Sequence, residues 1–433
     1  MKIYSFPRGG LSYDDPTAPV KGPVENAYLP AISVIPLNDS VKKAYPIVSI
    51  GESVREGMLI GRGSGSGDVN IHSSIPGRVL RKIAWKDKDG FNNDALVIRM
   101  EGSFERLGRR DESMHWKGLS GYDLQRIISD NGIVEMENSG RSLSEMISKA
   151  RRESDKLTLV VRCVFDDPWL VADYALCRDR IQAVIDGAAI VAKACFKAGQ
   201  IIFAVSYKEK ELGEKLVNEA GSLEYPVSLV LTGSRYPQRS NRELELALRV
   251  YEKKEGLSLG NFLILGPAVL SAVHDAVVHK KPILDRYVAV GGSAIKNPKI
   301  MKVRIGTRIG EVIEQCGGFS DSLEKIVIGS PLSGKEVMYL DEPISKTCYA
   351  IAAMSKSQTG FHKQQNCINC GECRTVCPVG LDPQNIYKRI RAMEIDYAST
   401  TGCHGCGCCK IVCPSALPLL ETILEKNSEA VNA

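Results

Sequence analysis

Two short runs near the end of this 433-residue chain hold the residues best suited to chemistry. The first is Cys367-Ile-Asn-Cys370-Gly-Glu-Cys373-Arg-Thr-Val-Cys377-Pro378. The second is Cys403-His-Gly-Cys406-Gly-Cys408-Cys409-Lys-Ile-Val-Cys413-Pro414. Both fit C-x2-C-x2-C-x3-C-P, an iron–sulfur ligand pattern. Three thiolates at such gaps on a tight loop can wrap three corners of an iron–sulfur cubane. The fourth sits on the first turn of a helix and points away, and the proline ends the loop. The competing reading is a pair of zinc ribbons, but zinc knuckles need neither the third cysteine nor the Cys-Pro.

In two-cluster ferredoxins the fourth cysteine of each run completes the other cluster. The expected ligands of one [4Fe-4S] cluster are therefore Cys367, Cys370, Cys373 and Cys413, and those of the second are Cys403, Cys406, Cys409 and Cys377. Alignment of the two runs puts Cys409 at the third ligand position and leaves Cys408 as a spare thiol, with Cys408 as ligand the alternative. His404 is expected to point to solvent.

Nine of the 14 cysteines lie in this stretch. A disulfide scaffold would spread its cysteines through a short secreted chain instead. Cys163, Cys177, Cys195, Cys316 and Cys348 fall singly on apolar elements and read as small buried hydrophobes. Hydrophobic residues at 44% and charged residues at 25% exclude wholesale disorder. Lys+Arg 56 against Asp+Glu 51 leaves only +5, which argues against nucleic acid as a partner. The N-terminus lacks the apolar core of a secretory signal. Ile181 to Val205 is the nearest thing to a membrane span, but Asp186, Lys193 and Lys197 interrupt it. It reads as an amphipathic helix followed by a buried strand. The chain is expected to be cytoplasmic or peripheral to a membrane.

These cysteines need a scaffold, and the chain reads as four modules. Residues 1–105 carry two hairpin-like stretches, Val48 to Ile60 and Ile71 to Ile83, which predict a small β barrel-sandwich of lipoyl type, without a convincing carrier lysine. Residues 106–255 alternate continuous apolar runs (Leu157 to Val164, Ile201 to Ser206, Val227 to Thr232) with helical segments, which predicts a Rossmann-like parallel sheet covered on both faces. Residues 256–340 predict a small α+β module, with strands near Arg286, Met301 and Lys325 and a helix over Ile309 to Cys316. Residues 341–433 predict a helical tail carrying the cysteines. The fold class is thus multidomain α/β and α+β.

That order of modules resembles RnfC, the peripheral subunit of the Rnf ion-translocating electron-transport complex. The likeness rests on Phe6-Pro-Arg-Gly9-Gly10, on Val48-Ser-Ile-Gly51 with Gly57 and Ile71-His72-Ser73, and on Tyr236-Pro237-Gln238. It continues in Val288 to Pro298, Ile305-Gly306-Thr307 and Cys316-Gly317-Gly318, which look like the family's SLBB β-grasp domain. The resemblance implies an oxidoreductase/translocase subunit that relays electrons through two [4Fe-4S] clusters at the cytoplasmic face of the cell membrane. Its implied partners are membrane-embedded Rnf subunits and a soluble donor, NADH in the family. It also implies that the α/β module is similar to the flavin-binding subunit of NADH dehydrogenase, where FMN takes hydride from NADH.

The nucleotide elements depart from the family together. A glycine-rich loop lets backbone N–H groups approach phosphates closely. Here the corresponding stretch runs from Gly132 to Gly140 and places Glu135 and Glu137 where they would repel a phosphate. A family acidic-Pro element is altered to Asp166-Asp167-Pro168, and Arg239-Ser240-Asn241 replaces G-G-E. Gly260 to Gly266 also differs. The site is therefore expected not to bind FMN and NADH as the family does, and flavodoxin or ferredoxin becomes the expected donor. Two other functions compete: a soluble cobalamin (corrinoid) reductase of related build, and an adaptor with purely structural clusters. Catalytic triads, paired glycosidase acids and a Walker loop are absent. Gly61 to Gly67 lacks a following helix and reads as a flexible loop. His72, His115, His274, His279 and His362 each read as isolated residues. Lys388, Arg389 and Arg391 read as a solvated helix face, with docking of an acidic carrier the sharper alternative.

Overall fold

The structure, a computed structural model, describes residues 2–37, 44–65, 67–86, 92–105, 107, 113–137, 139–196, 198–356, 364–394 and 402–432. His362 lies outside the described residues.

The α/β layer is built on five strands: β1 (Ile3–Tyr4), β10 (Leu157–Cys163), β11 (Ala198–Ser206), β12 (Val227–Thr232) and β13 (Asn261–Leu265). They form an all-parallel sheet in the order β1-β12-β11-β10-β13. Every residue of β10 is buried, as a central strand covered on both faces requires. Helices α1 (Gly121–Asp130), α2 (Leu143–Glu153), α4 (Ile181–Cys195) and α7 (Pro267–His279) pack together over the sheet. A cap by Ser120 and Asp123 starts α1. Helices α3 (Val171–Asp179), α5 (Lys210–Glu219) and α6 (Asn241–Glu255) complete the layer. Gly187 lets α4 and α7 touch, because a Cβ there would strike the Leu270 carbonyl oxygen.

The barrel-sandwich holds β3 (Ile32–Pro36), β4 (Ala44–Pro46), β5 (Ser53–Val54), β6 (Leu59–Gly63), β7 (Ile71–His72), β8 (Gly77–Lys86) and β9 (Asn92–Met100). One of its sheets is ordered β3-β9-β8-β5 and the other β4-β6-β7. The run after β6 turns on Asp68, whose carboxylate accepts from the Ser64 and Gly65 N–H groups. The β-grasp sheet holds β2 (Val24–Asn26), β14 (Asp285–Gly291), β15 (Lys299–Arg304), β16 (Leu323–Ile328), β17 (Lys335–Val337) and β18 (Ala350–Ser355), with α8 (Ile309–Gln315) alongside. Its order is β17-β16-β18-β14-β15-β2.

Two features depart from a strictly sequential order of modules. The first thirty residues stand outside the barrel: β1 extends the α/β sheet and β2 extends the β-grasp sheet. Past residue 255, β13 and α7 still belong to the α/β layer, where β13 pairs with β10. Strand pairing decides both placements, and composition carries no record of it. No helix among the described residues is long and apolar enough to cross a membrane.

Candidate cluster sites and the closed nucleotide loop

The two cysteine runs fold as near copies. Each has a glycine of positive φ, Gly371 (φ 78°) or Gly407 (φ 79°), followed by a four-residue helix, Glu372–Thr375 or Cys408–Ile411. Cys367, Cys370, Cys373 and Cys413 line one cavity, walled by Leu417 and Leu419. Cys377, Cys403, Cys406 and Cys409 line a second, walled by Leu381, Leu420 and Ile423. Each set of four thiols thus draws its fourth member from the other run. The set suits an iron–sulfur cubane, whose thiolates sit in apolar surroundings and accept backbone N–H bonds. One such bond runs from the Leu381 N–H to Cys377 Sγ (3.3 Å).

Cys408 also lines the second cavity. It occupies the place of Glu372 in the first run. Glu372 is exposed, whereas Cys408 is fully buried against Tyr236 and Leu332. The second half of the tail faces the body of the protein, so a small apolar residue replaces a charge there.

The seat of that half gathers residues from distant parts of the sequence. The Tyr236 hydroxyl donates to the Cys406 carbonyl (2.7 Å). The Gly10 N–H donates to the Val376 carbonyl (2.8 Å), and the Arg8 guanidinium to that of Val379 (2.9 Å). Gly9, at φ 66°, lies so close to Cys377 that a Cβ would stand 2.5 Å from its carbonyl oxygen. The Phe6 to Gly10 motif therefore clamps the cysteine loop.

His404 does not point freely to solvent. Its Nε2 lies 3.2 Å from Oε1 of the buried Glu243, which also bonds Ser240 at the start of α6. Burial disfavours the charged imidazole, but Glu243 outweighs it and raises its pKa. Burial likewise raises the Glu243 carboxyl, while His404 and Ser240 bring it below the usual range.

The stretch from Gly132 to Gly140 is filled by the protein's own side chains. The Glu135 carboxylate accepts from the Glu137 N–H (2.9 Å), the Ser139 N–H (2.7 Å) and the Ser139 hydroxyl (2.9 Å). Glu137, almost fully buried, pairs with Arg162 and Arg239 and packs against Gly266, where a Cβ would collide with Oε1. Arg162 also donates to Asn241 Oδ1 (2.5 Å) and to the Arg239 carbonyl (3.1 Å). Arg286 reaches Asp173 (3.2 Å) and the Met136 carbonyl (3.0 Å). Burial raises the Glu137 carboxyl, but Arg162, then Arg239 and Arg286, hold it below the usual range. Burial pushes Asp166 up to about 7, although the Arg239 N–H donates to it (3.0 Å). Of the two carboxylates that would repel a phosphate, Glu137 is thus an internal counter-ion and Glu135 an acceptor for the loop's own donors. Loop N–H groups that could cradle a phosphate are taken by Glu135, so the residues present do not fit a bound flavin phosphate.

Two of the isolated readings change. His274 and His279 stack edge to face (centroids 5.2 Å apart), and Asp275 lies beside His274 (3.3 Å). Cys163 and Cys177 bring their sulfurs to 3.8 Å. All five scattered cysteines are buried. Burial pushes His72 down to about 3, helped by Lys346. The two histidines and Asp275 share α7, whereas the cysteine pair joins β10 to α3, a meeting that neither helical nor strand periodicity marks.

Three family profiles match the chain. "RnfC Barrel sandwich hybrid domain" covers residues 6–103, "Nuo51 FMN-binding domain" residues 128–255 and "SLBB domain" residues 287–341. The chain resembles RnfC. It is 28% identical, over 88% of its length and 73% of the relative's, to the C subunit of the ion-translocating oxidoreductase complex of Rhodobacter capsulatus. It is 29% identical, over 87% of its length and 82% of the relative's, to the C subunit of the proton-translocating ferredoxin:NAD(+) oxidoreductase complex of Clostridium ljungdahlii. It is 27% identical, over 82% of its length and 81% of the relative's, to the C subunit of the Na(+)-translocating ferredoxin:NAD(+) oxidoreductase complex of Acetobacterium woodii. The RnfC-like barrel, the α/β layer and the β-grasp sheet bear out the expected fold class. Only the middle profile names a flavin, and its span contains the loop that Glu135 and Glu137 close.

Proposed function

We propose that this RnfC-like chain is the electron-transfer subunit of an Rnf-type ion-translocating oxidoreductase complex. Cys367, Cys370, Cys373 and Cys413 would hold one [4Fe-4S] cluster, and Cys377, Cys403, Cys406 and Cys409 a second. Such clusters, when bound, accept and pass on single electrons. The protein keeps the two thiol sets side by side by crossing one cysteine between them, excludes water with Leu417, Leu419, Leu420 and Ile423, and fixes the second set through Tyr236, Gly9 and His404. The chain would act at the cytoplasmic face of the cell membrane as a peripheral subunit, docked on membrane-embedded partners.

The donor is read as a reduced protein carrier of flavodoxin or ferredoxin type rather than NADH. The observation that carries this reading is the self-filled loop, where Glu135 takes the N–H groups and Glu137 takes Arg162 and Arg239. The deciding experiment is anaerobic. Purified, cluster-loaded protein is assayed for flavin, then its visible absorbance is followed after adding NADH or reduced flavodoxin. Bleaching by flavodoxin alone, with no flavin retained, is expected. Stoichiometric FMN with bleaching by NADH would falsify the closed-site reading. Absence of iron and sulfide after anaerobic reconstitution would overturn the cluster assignment.

A further inference from the structure

A cavity of about 900 Å³ opens where the barrel, the β-grasp sheet and the α/β layer meet, away from both thiol sets. Its size lies within the range of small-molecule sites, which favour module junctions. Arg180, Lys281, Lys302 and Arg304 line it together with Glu56, Asp275 and Asp285. The charges form one chain: Arg180–Asp275 (2.5 Å), Lys281–Asp275 (3.7 Å), Lys281–Asp285 (2.9 Å), Lys302–Asp285 (3.6 Å), Arg304–Asp285 (4.0 Å) and Arg304–Glu56 (2.7 Å).

The two signs are not equally placed. The side chains of Arg180, Lys302 and Arg304 are 31%, 35% and 20% exposed, against 12%, 17% and 3% for Asp275, Asp285 and Glu56. Lys281, at 12%, is as buried as Asp275, so it is Arg180, Lys302 and Arg304 that offer the more exposed charge to the lumen. Arg304 Nη1 is buried without a hydrogen-bond partner, 4.0 Å from the Asp285 carboxylate. Burial lowers the Lys302 pKa; Asp285 and Asp275 oppose that shift, and Lys281 and Arg180 add to it, while the lining as a whole sets four cations against three carboxylates. One wall is apolar, made by Ala27, Leu29 and Phe104, and Arg304 stands 5.5 Å from the centre of the Phe104 ring.

We propose that this junction cavity binds an organic phosphate: a phosphomonoester held by Arg180, Lys302 and Arg304, with a flat ring against the Phe104 wall. Clustered cations suit the several oxygens of a phosphate. A ligand there touches all three modules and fastens them together.

Isothermal titration of the cluster-loaded full chain tests it, with AMP, inorganic phosphate and succinate as probes. AMP is expected to saturate a single site below about 1 mM and to bind more tightly than the other two. Lys302→Ala should weaken AMP at least about tenfold, as loss of a charge-assisted hydrogen bond does. Lys302→Arg should restore it, and Lys253→Ala, on the exposed face of α6, should leave it unchanged. Circular dichroism and iron content of Lys302→Ala, matched to the parent, separate lost binding from lost folding. No saturable AMP binding, equal binding of phosphate or succinate, or indifference to Lys302→Ala would overturn the proposal.

Discussion

Glu137 shows how one residue can change what a loop does. A carboxylate at a phosphate-binding loop would be repulsive if it faced the ligand. Turned inward between Arg162 and Arg239, it becomes their counter-ion. Removing one partner of such a buried pair leaves an uncompensated charge and costs about 3–5 kcal/mol. Glu137→Ala is therefore expected to lower the unfolding free energy in urea by roughly that amount, with an unchanged m-value. A loss within about 0.5 kcal/mol would mean that the arginines find other partners. The pH profile follows the same sign: a depressed carboxylate stabilises above its unfolded pKa and loses that contribution as pH falls through the folded one. Asp166 behaves oppositely. Its folded pKa is raised to about 7, so its contribution is complete below the ordinary carboxylate range and is lost as pH rises through neutrality. Asp166→Asn should flatten the decline in stability between about pH 4 and pH 7 and leave the variant more stable than the parent at pH 8. Denaturant titrations across that range, showing parallel curves for both proteins, would refute this.

Among the elements, the segment that ends at Gly10 is the most consequential. Its two-residue strand joins the α/β sheet, and the next residues lie against the loop after Cys373. Gly9 needs both its positive φ and its missing Cβ, since any side chain would press on Cys377. Overpacking of this kind typically costs about 1–3 kcal/mol. Gly9→Ala is therefore expected to loosen the Cys377 loop and reduce the iron retained per chain after desalting, while the melting of the α/β layer changes little. Full iron retention would show that the loop can shift away from a methyl group. Helix α6 makes the matching contact from the other side, through Glu243 and His404. The cysteine tail is thus held by an N-terminal strand extension and a helix start from the same sheet.

Across the molecule, the two thiol sets differ in exposure. The second is walled by Tyr236, Leu332 and Glu243, whereas the first includes the exposed Cys370 beside the exposed Ile368. Lys388, on the helix Pro383–Arg391, reaches the same loop, donating to Asn369 (2.6 Å), and Arg391 ends that helix. A modest overall charge of +5 coexists with this local basic edge. Steering by such an edge accelerates encounter with an acidic carrier and fades with salt. A Lys388→Glu/Arg391→Glu double variant should slow reduction by flavodoxin several-fold at low ionic strength, with the two rates converging near 0.5 M salt. Stopped-flow traces that coincide at every ionic strength would place the carrier elsewhere.

Local spacing and period were enough to read several of these features from the order of residues. The cysteine runs announce their chemistry within twelve residues each, because cluster ligation demands a fixed local geometry. The continuous apolar runs became β10, β11 and β12, because a covered parallel strand must be apolar on both faces. The scarcity of glycine between Gly132 and Gly140 was equally legible, since a side chain at each position prevents the close backbone approach a phosphate needs. Where the released charges went depended on the packing of the folded chain. Glu137 meets Arg162, Arg239 and Gly266 across up to 129 positions of chain, counting from residue 137 to residue 266. The partner of His404, the clamp at Gly9 and the three-module cavity are likewise meetings between distant segments. Periodicity specifies which face of an element is buried; the packing of elements specifies which charges share a dry space.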